Sequence, residues 1–146
     1  MSRLWFVDDE RKVSDATWTP YDLNQFTKKR YFREPFAFVD ACNDLIACGD
    51  SSAVPYVISL DNDLGVYVDD EEYNGLWALN IILTYIVELI VSDHQFADTA
   101  QALLDTNWVF HTQNPVAHKQ MNRSLDATRA IVSEWNTYQT IHGHSV

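Results

Sequence analysis

The chain has 146 residues, 47% of them hydrophobic, with only 4 Gly and 4 Pro. That is enough apolar material for a buried core and excludes a disordered chain. The formal net charge of −11 excludes a grip on duplex DNA through its phosphates, which needs a positive footprint, whereas clustered acids suit a cation.

Leu4-Trp5-Phe6-Val7 is a continuous apolar run, as expected of a strand covered on both faces, and it stops at Asp8-Asp9-Glu10-Arg11. Residues 13–34 mix Trp18, Pro20, Tyr21, Phe26, Tyr31 and Phe32 with polar groups. They leave room for a short second strand whose place the pattern does not fix. Lys28, Lys29, Arg30 and Arg33 read as a solvated face, or else as a rim that draws an anion.

Pro35 opens a helix with Phe36, Val39, Cys42, Leu45 and Ile46 at helical spacing, and Gly49 ends it. Cys42 and Cys48 are not on one helical face, so no disulfide is expected between them. Without a signal peptide, a cytoplasmic setting is the expectation. Tyr56 to Leu60 forms the central strand and delivers Asp61 and Asp63 before the turn at Gly65.

The acidic stretch Gly65 to Asn74 reads as an exposed loop, with a lid beside the acids as the alternative. Leu76 to Val91 is too short for a membrane span. Its polar residues Asn80, Thr84 and Glu88 recur every four and make one narrow stripe. Such a helix is packed on several sides, inside the monomer or in a homodimer. Phe96 to Asp105 is a short amphipathic helix, and Trp108 to His111 is another strand.

Asn114 caps the last helix, with Pro115 as its first residue and Met121, Leu125, Thr128, Val132 and Trp135 on its inner face. A single domain over residues 1–137 is expected, with 138–146 as a flexible tail holding His142 and His144.

Strands alternating with helices define an α/β fold: a three-layer, mostly parallel sheet with helices on both faces. Ligands of such sheets bind outside the carboxyl ends of the strands. Asp8, Asp9, Asp61, Asp63, His111 and Asn114 all fall there. Converging carboxylates call for a hard divalent cation, with Mg²⁺ the natural choice, and Mg²⁺ completes its shell with water and phosphate. His111 adds a group that exchanges protons near neutral pH. The N-terminus of the helix after Asn114 offers N–H groups to an anion.

The motifs Asp8-Asp9-Glu10-Arg11, Ser59-Leu60-Asp61-Asn62-Asp63-Leu64-Gly65 and His111-Thr112-Gln113-Asn114-Pro115-Val116, with Met121 beyond, carry a family resemblance. The first resembles the acidic pair of response-regulator receiver domains, and Asp61 the phosphoacceptor. All three together resemble the receiver-like domains proposed to process cyclic phosphates. The resemblance implies a receiver-like (flavodoxin-like) fold, here reduced to four strands. It implies Asp8, Asp9, Asp61 and Asp63 around a metal, Asp61 and His111 as catalytic groups, and Arg11, Asn114 and His118 against phosphate.

The implied partner is a phosphate-containing small molecule or an RNA end, with neither duplex DNA nor membrane. Asn62 stands where that group has His, and Ala117-His118 where it has a small residue and Arg. The lysine of signalling receivers is absent after the last strand. Besides a phosphoesterase, the residues allow a receiver-derived module that binds a nucleotide or protein partner without turnover. Phosphoacceptance at Asp61 ranks third.

Overall fold

The computed structural model describes residues 3–15 and 22–142. Trp18, Pro20, Tyr21 and His144 lie outside the described residues. The three apolar runs form adjacent parallel strands: β1 (Arg3–Val7), β3 (Val57–Leu60) and β6 (Asn107–Phe110). The unplaced strand is β2 (Lys28–Phe32), parallel to β1 at the sheet edge, and the order is β2-β1-β3-β6. This is the flavodoxin-like order without a fifth strand. The basic cluster lies largely on β2, where exposed Lys28, Lys29 and Arg30 discourage pairing with another chain.

Side chains alternate across the sheet. Trp5, Val7, Ile58, Leu60 and Phe110 point into a large core. Helices α1 (Pro35–Ala47), α2 (Gly75–Val91), α3 (Ala97–Asp105) and α4 (Pro115–His142) all contribute to that core. Leu4, Phe6, Val57 and Val109 point the other way, into a small cluster closed by Val13, Leu23 and Phe26. Those three belong to, or follow, short 3₁₀ turns at Val13–Asp15 and Leu23–Gln25. The faces expected to carry helices alike therefore differ: among the described residues, the α-helices pack in one core and 3₁₀ turns cover the other face.

Three local expectations change. Phe38, not Phe36, is the fully buried aromatic of α1, and Phe36 instead meets Tyr73 and Trp77 at ring distances of 5.2 Å. The acidic loop is a hairpin of β4 (Val66–Val68) and β5 (Glu71–Tyr73). Its two-residue turn, Asp69-Asp70, has φ of 52° and 63°, the pattern of a type I′ turn. The last helix continues to His142, so residues 138–142 are helical rather than tail.

The apolar composition of α2 is used inside the chain: Ala78, Leu79, Ile82, Leu83, Ile86, Leu89 and Ile90 are buried. Its exposed stripe holds Asn80, Thr84 and Glu88, with Ile81 and Val91 beside it. Both cysteines are free. No helix among the described residues is long and apolar enough to cross a membrane.

Candidate functional site

The parallel register ends on Val7, Leu60 and Phe110, which lie side by side. One residue further, the backbone pairing continues: Asp61 N–H donates to Val7 O and His111 N–H to Leu60 O. Asp8, Asp61 and His111 therefore form one row across three neighbouring strands. By alternation the row lies on the side of Phe6, Ser59 and Val109. It is the only group of three possible metal ligands among the described residues with donor atoms within 4.8 Å of one another.

The loop after β1 is built around Asp8. Its Oδ1 accepts the backbone N–H groups of Glu10 (3.0 Å) and Arg11 (2.8 Å). Its Oδ2 pairs with His111 Nε2 at 3.0 Å. Burial opposes ionisation of Asp8, but the hydrogen bond and charge of His111, with the two backbone donors, outweigh it and hold the pKa at about 2. Arg33, read from sequence as part of a solvated face, donates from Nη1 to the carbonyls of Asp8 (3.0 Å) and Arg11 (2.7 Å). Its place just past the end of β2 was the available signal, since that end lies on the same carboxyl edge of the sheet as Asp8 and Asp61.

Asp61 is differently served. Its Oδ1 accepts only the adjacent Asn62 N–H, at 2.8 Å. Burial raises its pKa and nearby Asp8 raises it further, against the opposing charges of His111 and Arg11. The Arg11 guanidinium bridges the two acids, with Nη1 at 3.5 Å from Asp8 Oδ2 and 3.6 Å from Asp61 Oδ2. Its Nη2 reaches Gln113 Oε1 at 3.4 Å.

Asp9 is raised by burial and by the charges of Glu10 and Asp8. It lies against Gly65, whose φ of +67° and whose space, with Asp9 Oδ2 at 3.1 Å from where a Cβ would stand, both favour glycine. Asp8, Asp9, Arg11, Asp61 and Asp63 line a cleft of about 430 Å³ walled by Tyr67 and Glu72 of the hairpin.

Other expected contacts are not made. His111 is 0% exposed, and both ring nitrogens are engaged, Nδ1 with Ser59 Oγ at 2.7 Å and Nε2 with Asp8. It therefore presents no proton donor or acceptor to the cleft. Asn114 uses Oδ1 to accept the N–H groups of Val116 and Ala117 (both 3.1 Å), and its carbonyl accepts that of His118. The donors expected to meet an anion are thus capped. His118 is exposed on α4 and pairs with Asn122 at 3.2 Å.

Asn62, which replaces a family His, has a structural task. Its Oδ1 accepts Leu76 N–H at 3.0 Å and its carbonyl accepts Gly75 N–H at 2.9 Å, while Asn74 accepts Trp77 N–H. These bonds seat α2 directly behind Asp61. A side chain at Gly75 would collide with the Asp61 carbonyl, so only glycine permits that approach.

A four-stranded parallel sheet in flavodoxin-like order, with acids converging at its carboxyl edge, defines a receiver-like α/β domain. Residues 3–127 match the cyclic-phosphate processing receiver domain family, and the chain belongs to that family. No curated protein and no solved structure matches the chain.

Proposed function

We propose that this protein is a divalent-metal-dependent phosphoesterase that opens a cyclic phosphate, at an RNA end or in a small nucleotide. The observation that carries this reading is the bridge of Arg11 between Asp8 and Asp61. The acids already gather one positive group between them, on the floor of an open cleft. The donor set is all carboxylate oxygen, which suits Mg²⁺ and not a soft metal.

Asp9 and Asp61 carry the acids that burial leaves costly to ionise, and a cation relieves that cost. Asp8 stands beside them as the fixed third member, and Asp63 at the cleft wall orients water. Arg11, which lines the same cleft, meets the phosphate. Bound Mg²⁺ would supply charge neutralisation and polarise the phosphoryl oxygen. In the reaction a water adds to phosphorus, one ring P–O bond breaks, and the leaving oxygen takes a proton, so a cyclic diester becomes a monoester.

Phosphorus NMR of 2′,3′-cyclic AMP with protein and Mg²⁺ tests this directly. A monoester signal is expected from the wild type and not from Asp61→Asn. An unchanged cyclic signal with the wild type would contradict the proposal.

A second reading, binding without turnover, is favoured by Asn62. The position that holds His in the family pattern is here occupied by an amide committed to seating α2. In that reading the same cleft holds a nucleotide or docks a partner. Retention of cyclic nucleotide without conversion would select it.

A further inference from the structure

We propose that the hairpin of β4 and β5 is a platform for a nucleobase: Tyr67 stacks on the base of a cyclic mononucleotide held in the cleft, in preference to an RNA end. This deepens the reading of the cleft as a phosphate site and rests on that reading for where the phosphate lies.

The pairing of the hairpin decides what its side chains face. Residues directly opposite in an antiparallel pair share a face, and neighbours along a strand alternate. Val66 is opposite Tyr73, and Tyr67 is opposite Glu72. Tyr73 packs on Phe36 of α1, at a ring distance of 5.2 Å, and on Trp77 of α2, at 5.0 Å. That face ties the hairpin to two helices. Tyr67 and Glu72 take the opposite face, and both line the cleft that holds Asp8, Asp9 and Asp61.

A single exposed aromatic is ordinary on a protein surface. Tyr67 differs in its setting: it is 65% exposed and stands on an anchored arm at the wall of a cleft. The Tyr73 ring is taken up by Phe36 and Trp77, whereas the Tyr67 ring is open to solvent. It comes two residues after Gly65, which lies against Asp9. Two strand residues span about 7 Å, which suits the reach from a cyclic phosphate to the base of the same nucleotide. The cleft volume of about 430 Å³ falls within the range of small-molecule sites, about 300–1,000 Å³. An aromatic platform serves any base, because every base has a π-face.

Charge decides between a mononucleotide and an RNA end. Six carboxylates and one guanidinium line the cleft. One phosphate can share such a site with a hard cation. Further phosphates of an RNA chain would meet Asp69-Asp70-Glu71-Glu72 along the hairpin. A nucleic-acid strand calls for a positive groove that follows its backbone. Lys28, Lys29 and Arg30 are in register with Arg3, Leu4 and Trp5, back from the carboxyl edge, and none of the three lines the cleft. Arg33 is committed to loop carbonyls.

The test uses the full chain with Mg²⁺ and three ligands: 2′,3′-cyclic AMP, base-free glycerol cyclic phosphate, and a short RNA ending in a 2′,3′-cyclic phosphate. Saturation transfer from tyrosine rings to base protons and calorimetric titration read binding, and phosphorus NMR reads conversion. The wild type is expected to bind cyclic AMP about tenfold more tightly than the base-free ligand, and more tightly than the RNA at low salt. Tyr67→Ala is expected to lose about tenfold of the preference over the base-free ligand, and Tyr67→Phe to keep it. If Tyr67→Ala does not fold, Tyr67→Leu takes its place. Equal preference in wild type and Tyr67→Ala would overturn the stacking role, and tighter binding of the RNA would overturn the choice of a mononucleotide. Tyr67-dependent binding of cyclic AMP without conversion would sink the phosphoesterase reading and leave this one standing. Conversion that does not depend on Tyr67 would do the reverse.

Discussion

Asp8 and Asp61 are the same residue type in equivalent places, one step past neighbouring parallel strands. They are 1% and 4% exposed, yet their acidities move in opposite directions, Asp8 down to about 2 and Asp61 up. Burial penalises both. The difference is the supply of donors: Asp8 has two backbone N–H groups and His111, while Asp61 has one backbone N–H, the Arg11 guanidinium it shares with Asp8, and a like charge beside it. Depth alone therefore does not set the chemistry of a buried acid. Asp8 is an anchor that organises its loop, while Asp61 has fewer hydrogen-bond donors and shares Arg11 with it, a difference that a cation makes up on the proposed reading.

The largest effect on this contrast is expected from Asp8→Ala. It leaves two loop N–H groups and His111 without their acceptor, and destabilisation of about 3 kcal/mol should appear in urea unfolding. A loss no larger than that of Asp61→Ala would erase the distinction.

Acid titration should separate the two next. Asp8 has a folded pKa below its unfolded value, so its contribution of about 2 kcal/mol is complete above pH ~4 and fades as pH falls toward 2. Asp61, raised in the fold, works in the opposite sense, because acid removes an unfavourable charge. Stability measured from neutral to acid pH should therefore fall less steeply in Asp8→Asn than in wild type, and more steeply in Asp61→Asn. Parallel curves for all three proteins would show that the donors do not matter.

The smallest effect concerns the support behind Asp61. Asn62→Ala removes the acceptor for Leu76 N–H and should lower stability by about 1 kcal/mol in thermal unfolding, with cation affinity little changed. A large loss of affinity would instead place Asn62 in the cleft chemistry.

Much of this arrangement is legible in the sequence. Apolar runs that stop at acids mark the strands and their carboxyl ends, because that signal is local. What is not legible follows from burial on both faces. In Trp108-Val109-Phe110-His111 every position is apolar or aromatic, so no alternation tells which side His111 takes. The structure puts it beside Phe6 and Ser59, sealed from the cleft. Arg33 was hidden for a related reason: its partners are main-chain carbonyls of a loop 22 to 25 residues away, and carbonyls leave no trace in residue types. The hairpin leaves little mark in the sequence because Asp69-Asp70 lacks the Asn-Gly or Asp-Gly signature, although both residues take the positive φ the turn demands.

On the proposed reading Asp61 is an acid held ready for a cation. Calorimetric titration of Mg²⁺ into the wild type and Asp61→Asn at neutral pH tests it most directly. Saturable binding by the wild type, with affinity reduced at least a hundredfold in Asp61→Asn, is the predicted result. No binding by the wild type, or equal binding by both, would contradict it.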